Sequence, residues 1–148
     1  MKRLALTAIA AATPIAATLL AGTASAATYS VDELTSFTSP SGNIGCQIDV
    51  DMVRCDIREA DWTPPPAPAD CPLDYGQGVW INPYLAAGVA QLVCAGDTAI
   101  VDGAEVLGYG DAIVAGAMRC ESGEAEIRCR DTDSGHGFAL SRQSYRIF

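Results

Sequence analysis

The sequence predicts an all-β protein, a small antiparallel sandwich or barrel that is stapled by disulfides and preceded by a signal peptide. Three observations support this prediction. Six cysteines, an even number, all follow an uncharged N-terminal run, as is typical of exported disulfide proteins. Short runs of alternating apolar residues are separated by frequent Gly, Pro and Asp turn signals. Helical periodicity is scarce, so we expect about seven to nine short strands.

The N-terminal segment, residues 1–26, is typical of a cleavable signal peptide. Two basic residues begin it, an uncharged run extends to Ala27, and Ala24-Ser25-Ala26 offers the small residues that a signal peptidase accepts. A retained membrane anchor is the alternative, because the run is long enough to span a bilayer. The abundance of Ala and Thr and the interruption at Pro14 favour cleavage after Ala26. We therefore expect a secreted, extracellular protein with no integral membrane segment after processing.

The chain that remains after cleavage is strongly acidic. Without residues 1–26 it has 122 residues, seven Arg, no Lys and 18 Asp and Glu, so its formal charge is −11. This charge repels nucleic acid and anionic membranes, which excludes nucleic-acid binding as a function. The acidity favours solubility outside the cell or, alternatively, attracts cations or a basic partner. The length suits one domain over residues 37–148, with a polar lead-in over 27–36.

The six cysteines predict three disulfides. Six cysteines allow many pairings, and the spacing favours Cys46–Cys55, Cys71–Cys94 and Cys120–Cys129. The first and third pairs each enclose eight residues, the length of a short hairpin whose strands face each other. Structural zinc is the alternative, but the chain has no Cys-x-x-Cys and a single histidine. We predict no cofactor.

The first half of the domain is organised around one hairpin. Ser39-Pro40-Ser41-Gly42 has Pro and Gly where a turn requires them. Alternating apolar residues over 44–50 and 53–57 predict two strands that pair around Val50-Asp51. The proline run over 62–68 cannot lie inside a sheet, because proline donates no backbone hydrogen bond, so it predicts an extended connection. A recognition ligand for a proline-binding partner is the less favoured alternative.

The middle of the chain gives weaker signals. Residues 85–94 are compatible with a short helix or with a strand. Short apolar pieces at 100–101 and 106–107 flank Asp102-Gly103, a pair that favours a tight hairpin turn. We therefore expect these two pieces to pair with each other.

A second cysteine hairpin is predicted over 112–120 and 125–130, and a final strand begins at Phe138. This hairpin has the same eight-residue spacing between cysteines as the first. The shared spacing suggests an internal duplication of the hairpin.

Several stretches resemble a known family. They are Phe37-x-Ser39-Pro40-Ser41-Gly42-Asn43-Ile44-x-Cys46, Val53-Arg54-Cys55-Asp56-Ile57, Cys94-x-x-Asp97-Thr98, Gly108-Tyr109-Gly110 and Gly135-His136-Gly137-Phe138-x-Leu140-Ser141-Arg142. Together they resemble a family of small secreted actinobacterial proteins of unknown function, over most of the chain after residue 26. Gly108 departs from the family pattern, where a proline is expected. The resemblance implies export and a shared fold, and it supplies no activity.

His136 is the only histidine, and the glycines beside it would let a turn present its ring. A hydrolase would use it as a general base with a serine nucleophile and an orienting carboxylate. The available residues are Ser41, Ser134, Ser141, Asp131 and Asp133. The sequence has no Gly-x-Ser-x-Gly elbow to support this hypothesis. We therefore assign no catalytic residue, keep His136 as a weak candidate, and favour a structural histidine that bonds across the final turn.

The segment Asp131-Thr132-Asp133-Ser134-Gly135 resembles the start of a calcium loop, in which alternate carboxylates converge on a hard cation. The resemblance ends there, because Gly135 lies where a ligand is needed and no glutamate closes the loop. Asp131 and Asp133 are therefore weak metal candidates, and we predict no metal site.

Five aromatic residues cluster around turn-rich segments: Trp62, Tyr75, Trp80, Tyr84 and Tyr109. If exposed they would suit binding of a glycan or a protein, and if buried they belong to the core, which we favour. We predict an extracellular binding or interaction module that presents loops on a rigid disulfide scaffold. A cell-envelope structural or accessory protein is the alternative, and a hydrolase based on His136 is the second alternative. An enzyme is disfavoured, and the partner, from the cell envelope or another protein, is left open.

Overall fold

A computed structural model describes residues 25–82, 84 and 89–148. These residues form twelve strands and contain no α-helix. The strands are β1 (Thr28–Ser30), β2 (Thr35–Thr38), β3 (Ile44–Asp49), β4 (Met52–Ile57), β5 (Tyr75–Ile81), β6 (Ala90–Cys94), β7 (Glu105–Val106), β8 (Ala112–Ala115), β9 (Met118–Ser122), β10 (Ile127–Asp131), β11 (Gly137–Leu140) and β12 (Tyr145–Ile147). The all-β prediction is confirmed, with more strands than expected.

The strands form two sheets of six, which pack around one core. The first sheet has the order β7-β2-β3-β4-β5-β6, and the second has the order β1-β8-β9-β10-β11-β12. Among the described strands, neighbours are antiparallel except at one edge of each sheet. There β7 runs parallel to β2, and β1 runs parallel to β8. The architecture is therefore a sandwich of two mixed sheets.

The two sheets repeat one arrangement. Each has a parallel edge strand followed by a five-stranded antiparallel meander, with a disulfide between the second and third meander strands. The edge strands are exchanged between the halves of the chain. β1 precedes β2 in sequence but pairs with β8, and β7 precedes β8 but pairs with β2. The fold is thus a duplicated unit whose two copies each contribute one strand to the other sheet.

Alternating strand residues build the core between the sheets. In β4, Val53, Cys55 and Ile57 belong to the core cluster, while the residues between them face the outer side of the sheet. The hairpin disulfides Cys46–Cys55 and Cys120–Cys129 meet at its centre, where the Sγ atoms of Cys55 and Cys129 lie 3.8 Å apart. The two halves of the duplication therefore contact each other through their disulfides.

The third disulfide, Cys71–Cys94, ties the long connection between β4 and β5 to the edge strand β6. The proline run over 62–68 forms no strand within this connection, and it is mostly exposed. Trp62 at its start packs against Tyr145 of β12 with ring centroids 4.7 Å apart. The connection thus runs across the surface between the two sheets and is fixed near both ends.

Residues 27–36, expected as a polar lead-in, contain β1 and the start of β2. All three side chains of β1 are exposed, so its sequence has no apolar alternation to reveal it. Backbone hydrogen bonds to β8 hold this strand in place. The polar stretch therefore contributes to both sheets, β1 to the second and the start of β2 to the first.

The prediction that residues 100–101 and 106–107 form a hairpin around Asp102-Gly103 is wrong. The turn forms, with the backbone nitrogen of Ala104 donating to the Val101 oxygen at 3.2 Å, but its two flanks do not pair. Glu105–Val106 pairs with β2 instead, because that edge of the first sheet is otherwise open. In the ambiguous stretch 85–94, Ala90–Cys94 is strand β6, and residues 85–88 lie outside the described residues.

The predicted signal peptide lies outside the described residues apart from Ser25 and Ala26, which are exposed. Over the described part of the chain, no helix is long and apolar enough to cross a membrane.

Candidate functional site

Several connections meet at one end of the sandwich, which we call the loop end. They are residues 39–43, 58–62, 107–111, 123–126 and 141–144. Hydrogen bonds between the connections brace them. The Asn43 amide donates to the Glu59 oxygen at 2.9 Å and accepts from the Glu59 nitrogen at 3.0 Å. The Asp61 nitrogen donates to the Arg142 oxygen at 2.8 Å, so the loop end is a fixed surface.

Two arginines add surface ion pairs to the loop end. Arg142 pairs with Glu59 at 3.0 Å and with Asp61 at 3.3 Å. Arg58 pairs with Asp102 at 2.9 Å and donates to the Gly42 oxygen at 3.2 Å. These side chains are about half exposed or more, so each pair adds at most about 1 kcal/mol of stability. Their effect is to orient charged groups around two clefts.

The first cleft, which we call the polar cleft, has a volume of about 470 Å³. Its walls are the β2–β3 turn, the β9–β10 turn, the β11–β12 turn and Tyr109. The polar lining residues are Ser39, Ser41, Asn43, Arg58, Glu59, Glu124, Glu126, Ser141, Arg142 and Gln143. Many of these groups already bond one another, as Ser39 and Ser41 do at 3.0 Å. The polar cleft therefore offers few unpaired groups to a ligand.

The second cleft, which we call the aromatic cleft, has a volume of about 700 Å³ and opens on the other side of Arg58. It lies between the start of the proline run and the loop after β6. Its lining residues are Ile57, Arg58, Ala60, Trp62, Pro64, Asp74, Tyr75, Gly76, Gln77, Gly96, Asp97 and Thr98. Two aromatic rings and a proline thus face carboxylates, an amide and a hydroxyl across one concave surface.

The aromatic wall of this cleft is preformed. The Trp62 indole nitrogen donates to the Ser141 oxygen at 3.0 Å, and the ring packs against Tyr145. Pro64 packs directly on Gly76, whose φ is 84° and where a Cβ would overlap the proline ring. Only glycine fits this position without strain. The proline run is therefore seated on β5 at the floor of the cleft.

Polar groups beside the aromatic rings of the cleft retain bonding capacity. The Tyr75 hydroxyl makes no hydrogen bond within the described residues, and Asp74 is exposed. The Gln77 amide nitrogen donates to the Ala95 oxygen at 3.1 Å, but its Oε1 atom is buried without a partner among the described residues. Because the Gln77 oxygen is buried, the Gln77 side chain supports the wall and does not present this atom to the cleft.

A buried cluster of charged residues holds the loop that brings Asp97 to the aromatic cleft. Arg54 and Asp56 alternate with the core residues of β4 and face outward, yet they are only 7% and 1% exposed. The Arg54 guanidinium bonds Asp56 at 2.7 and 3.0 Å and Asp97 at 2.7 Å. Asp56 also accepts from the Ala99 nitrogen at 2.9 Å. The cluster thereby clamps the loop that carries Asp97 onto the outer face of the first sheet.

The contacts of this cluster shift the pKa values of Arg54 and Asp97. Burial acts to lower the pKa of Arg54, but the hydrogen bonds and charges of Asp56 and Asp97 outweigh it and hold that pKa above its ordinary value. The hydrogen bond from Arg54, with its positive charge, holds the pKa of Asp97 below the ordinary carboxyl value. Asp97 therefore presents a negative charge at the rim of the aromatic cleft throughout the neutral range.

His136 lies in the β10–β11 connection, at the end of the sandwich opposite the loop end. Its backbone takes part in the turn, with the oxygen accepting from the Asp131 nitrogen at 2.9 Å. Within the described residues the imidazole makes no hydrogen bond, and the backbone of His136 makes the bond across the turn. Ser41 and Ser141 line the polar cleft, far along the strands from His136. Ser134 and Asp131 lie in the same turn as His136, where the Ser134 hydroxyl donates to Asp131 at 2.9 Å and accepts from the His136 backbone nitrogen at 3.2 Å.

The Asp131 carboxylate stabilises the turn that contains it. Its carboxylate accepts from the Asp133 nitrogen at 2.8 Å and from the Ser134 hydroxyl at 2.9 Å, as in an Asx turn. In the described part of the chain, no group of three or more His, Cys, Asp or Glu side chains is arranged to hold a metal ion. Asp131 and Asp133 therefore lie together in a turn that uses the first carboxylate for backbone support.

The five aromatic residues singled out from the sequence have different environments. Trp62 and Tyr75 are half-buried, pack against the core and line the aromatic cleft. Tyr109 is 50% exposed at the polar cleft, and Tyr84 is 83% exposed at the opposite end. The expectation of core burial is wrong for these two tyrosines. Trp80 lies opposite Arg54 on the neighbouring strand.

Sequence reasoning missed Pro64, Gln77, Asp97 and the Arg54 cluster as parts of a site. Arg54 and Asp56 carried a detectable signal, because an Arg-x-Asp pair alternates with buried residues in a predicted strand. The other residues carried none, since they reach the cleft from separate connections.

Comparison with protein-family models matched residues 14–148 to the Family of unknown function (DUF6636). Comparison with the curated proteins and with the solved structures gave no match.

Proposed function

We propose that this chain, which belongs to the Family of unknown function (DUF6636), is an extracellular binding module that holds a saccharide in the aromatic cleft. The observation that carries the proposal is the composition of the cleft. Half-buried Trp62 and Tyr75 lie beside the exposed carboxylates of Asp74 and Asp97, and the Tyr75 hydroxyl makes no hydrogen bond within the described residues. A sugar ring matches this arrangement, because its C–H face packs on aromatic rings and its hydroxyls bond polar groups at the rim.

The rigidity of the site supports a binding role. The cleft walls are held by the Trp62–Ser141 hydrogen bond, the Pro64–Gly76 contact and the Arg54 clamp on Asp97. A preformed site loses little conformational entropy when a ligand binds, so modest contacts suffice for measurable affinity. Three disulfides are the kind of scaffold that keeps such a site intact outside the cell.

The charge of the molecule supports a neutral or cationic ligand. The charged residues that line the cleft are two carboxylates, Asp74 and Asp97, and one arginine, Arg58. The positive charge of Arg58 is already paired with Asp102. A strongly acidic ligand would meet unfavourable electrostatics here. Among envelope polymers, neutral glycans fit best.

Tryptophan fluorescence gives the direct test, because the chain has only two tryptophans, Trp62 and Trp80. The Trp80 indole nitrogen is buried without a partner among the described residues, so Trp80→Phe removes no hydrogen bond. In this variant Trp62 is the only reporter. Titration of the oxidised protein with neutral oligosaccharides from chitin, cellulose, mannan and arabinan should give a saturable change in Trp62 emission.

Two tyrosine variants locate the site. Tyr75→Ala should weaken binding of the oligosaccharide by about tenfold, equivalent to about 1.4 kcal/mol. Tyr84→Ala is the matched control, since Tyr84 is exposed at the opposite end and should leave the affinity unchanged. Absence of a saturable change with every oligosaccharide would reject the saccharide proposal and favour the structural or accessory role in the cell envelope.

A further inference from the structure

Ala27, the residue before β1, is held at both of its backbone groups. The Ala27 nitrogen donates to Asp111 Oδ1 at 2.8 Å, a contact between positions 84 residues apart. The Ala27 oxygen accepts from the Ala112 nitrogen at 2.8 Å. From Thr28 onward the chain pairs with β8 in parallel register. Ala27 is therefore where the chain joins the sandwich.

Ala27 is also the residue that the predicted cleavage would leave first. Ser25 and Ala26 are exposed, whereas Ala27 is half-buried, so the bond after Ala26 lies at the boundary of the fold. Hydrolysis of that bond turns an amide nitrogen into an α-ammonium group, while the carbonyl of Ala26 leaves as a carboxylate. The nitrogen that already contacts Asp111 would then carry a positive charge.

We propose that cleavage after Ala26 converts the Ala27–Asp111 hydrogen bond into an ion pair that anchors the N-terminal strand of the mature protein. The carboxylate is available for this role. The arginine ion pairs within the described residues involve other carboxylates, and none of them involves Asp111. Its only side-chain hydrogen bond in this part of the chain is the one from Ala27.

The local backbone holds the carboxylate in position. The Asp111 nitrogen donates to the Gly108 oxygen at 3.0 Å, and the Asp111 oxygen accepts from the Ser122 nitrogen at 2.9 Å. A Cβ at position 108 would lie 2.8 Å from Asp111 Oδ2, so Gly108 leaves the space that the carboxylate occupies. Asp111 is half-buried, and an ion pair there is less screened than one on the open surface.

The anchor matters because β1 has little else to hold it. Its three side chains are exposed, so hydrogen bonds to β8 and the fixation of its two ends keep it in the sheet. At the far end the Val31 nitrogen donates to the Val114 oxygen at 2.9 Å. At the near end the contact is Ala27 with Asp111. The same loop carries Tyr109, so anchoring also fixes one wall of the polar cleft.

The composition of the chain provides a specific measurement. Lys2 is the only lysine, so a chain that starts at Ala27 has one primary amine, its own α-amino group. An amine-acylating reagent followed by intact mass therefore reports on this group alone. The probe is a succinimidyl acetate, applied to the oxidised chain 27–148 and to Asp111→Asn.

We expect the wild-type α-amine to acylate about three to ten times more slowly than in Asp111→Asn, because an ammonium paired with a carboxylate loses its proton less readily and only the neutral amine attacks the reagent. Asp102→Asn is the matched control, since Asp102 pairs with Arg58 and should leave the acylation rate unchanged. Equal rates in the wild type and in Asp111→Asn would overturn the proposal.

A stability comparison tests the anchor independently of reactivity. The chain that starts at Ala27 should melt about 3 °C or more above the same chain preceded by Gly-Ser, and this difference should vanish in Asp111→Asn. A difference that persists in Asp111→Asn would overturn the role of Asp111. N-terminal sequencing of the exported protein completes the test, because a start other than Ala27 would overturn the premise.

Discussion

Arg54 and Asp56 show how one strand serves two purposes at the scale of single residues. On its inner face β4 contributes to the core, and on its outer face it carries a salt bridge that is almost fully buried. Gly78 on the neighbouring strand makes this possible, because a Cβ there would overlap the Cys55 oxygen and the Asp56 carboxylate. The cluster attaches the loop with Asp97 to the sheet and so positions one wall of the aromatic cleft.

Removal of Asp56 should be costly. In Asp56→Ala, the nearly buried Arg54 keeps only Asp97 as an ionic partner, and the Ala99 nitrogen loses its acceptor. We expect the free energy of unfolding, measured by urea denaturation of the oxidised protein, to fall by about 3 to 5 kcal/mol. Asp61→Ala, which removes an exposed partner of Arg142, should cost less than about 1 kcal/mol. Similar losses in both variants would contradict a special role for the buried cluster.

The lowered pKa of Asp97 predicts a pH dependence of stability. Because Arg54 stabilises the ionised carboxylate, the folded protein holds this proton less tightly than the unfolded chain does. The contribution of Asp97 is therefore complete above the ordinary carboxyl pKa of 3.8 and is lost as the pH falls below it. Denaturation midpoints of the wild type and Asp97→Asn should differ by a constant amount above about pH 5 and converge under stronger acid. Asp102→Asn should show a much smaller gap at every pH, and a gap that grows in acid would refute the assignment.

The parts of the fold that could be predicted from sequence are the ones that leave a local pattern. Alternation over 44–57 revealed the first hairpin, because each strand buries one face. The edge strand β1 could not be predicted, since its side chains are exposed and only its backbone pairs. At β7 the apolar piece 106–107 indicated a strand, but nothing in the sequence indicated β2 as its partner. The aromatic cleft could not be predicted either. Its residues come from separate connections, and no spacing links Trp62 to Asp97.

At the scale of elements, the Cys71–Cys94 disulfide has a different role from the two hairpin disulfides. The hairpin bridges lie in the core, whereas Cys71–Cys94 fastens the long connection after β4 to an edge strand. That connection supplies Trp62 and Pro64 to the cleft. The third bridge is thus the one most closely linked to the proposed site.

Replacement of both cysteines in Cys71→Ser/Cys94→Ser should lower the free energy of unfolding by about 3 kcal/mol, since it frees a loop of intermediate length in the unfolded chain. The folded variant should keep its sheets, as judged by far-ultraviolet circular dichroism, but show faster amide hydrogen exchange in 63–74 than the wild type. Exchange in the hairpin strands β9 and β10 is the internal control and should stay slow. Uniform acceleration across all strands would mean that the bridge supports the whole fold and not this connection alone.

At the scale of the whole molecule, the exchanged edge strands make the two halves depend on each other. The first half lacks a partner for β1 without β8, and the second half lacks a partner for β7 without β2. The core cluster also includes residues of both sheets, so each isolated half would expose its inner face to water. Each disulfide lies within one half, and none joins the two halves.

Because the two halves depend on each other, we expect separate fragments of the chain to fold only when they are mixed. Residues 27–103 and 104–148, each oxidised separately, should be largely unfolded alone, because neither can close its sheet or bury its apolar face. Mixed together they should recover the near-ultraviolet circular dichroism of the intact chain in a concentration-dependent manner. The division follows Gly103, where the backbone turns at φ 80° and nothing lies near the missing side chain. The cut breaks the hydrogen bond of this turn, from the Ala104 nitrogen to the Val101 oxygen.

The matched control is a second mixture in which the small fragment begins at Leu107, so that it lacks β7 but keeps this core residue. If the exchanged strand contributes to association, this mixture should bind more weakly, by about tenfold for each 1.4 kcal/mol that β7 provides. Cooperative unfolding of either fragment alone would show that one half is an independent domain. Equal affinity with and without β7 would show that the core contacts hold the halves together and that the strand exchange only seals the sheet edges.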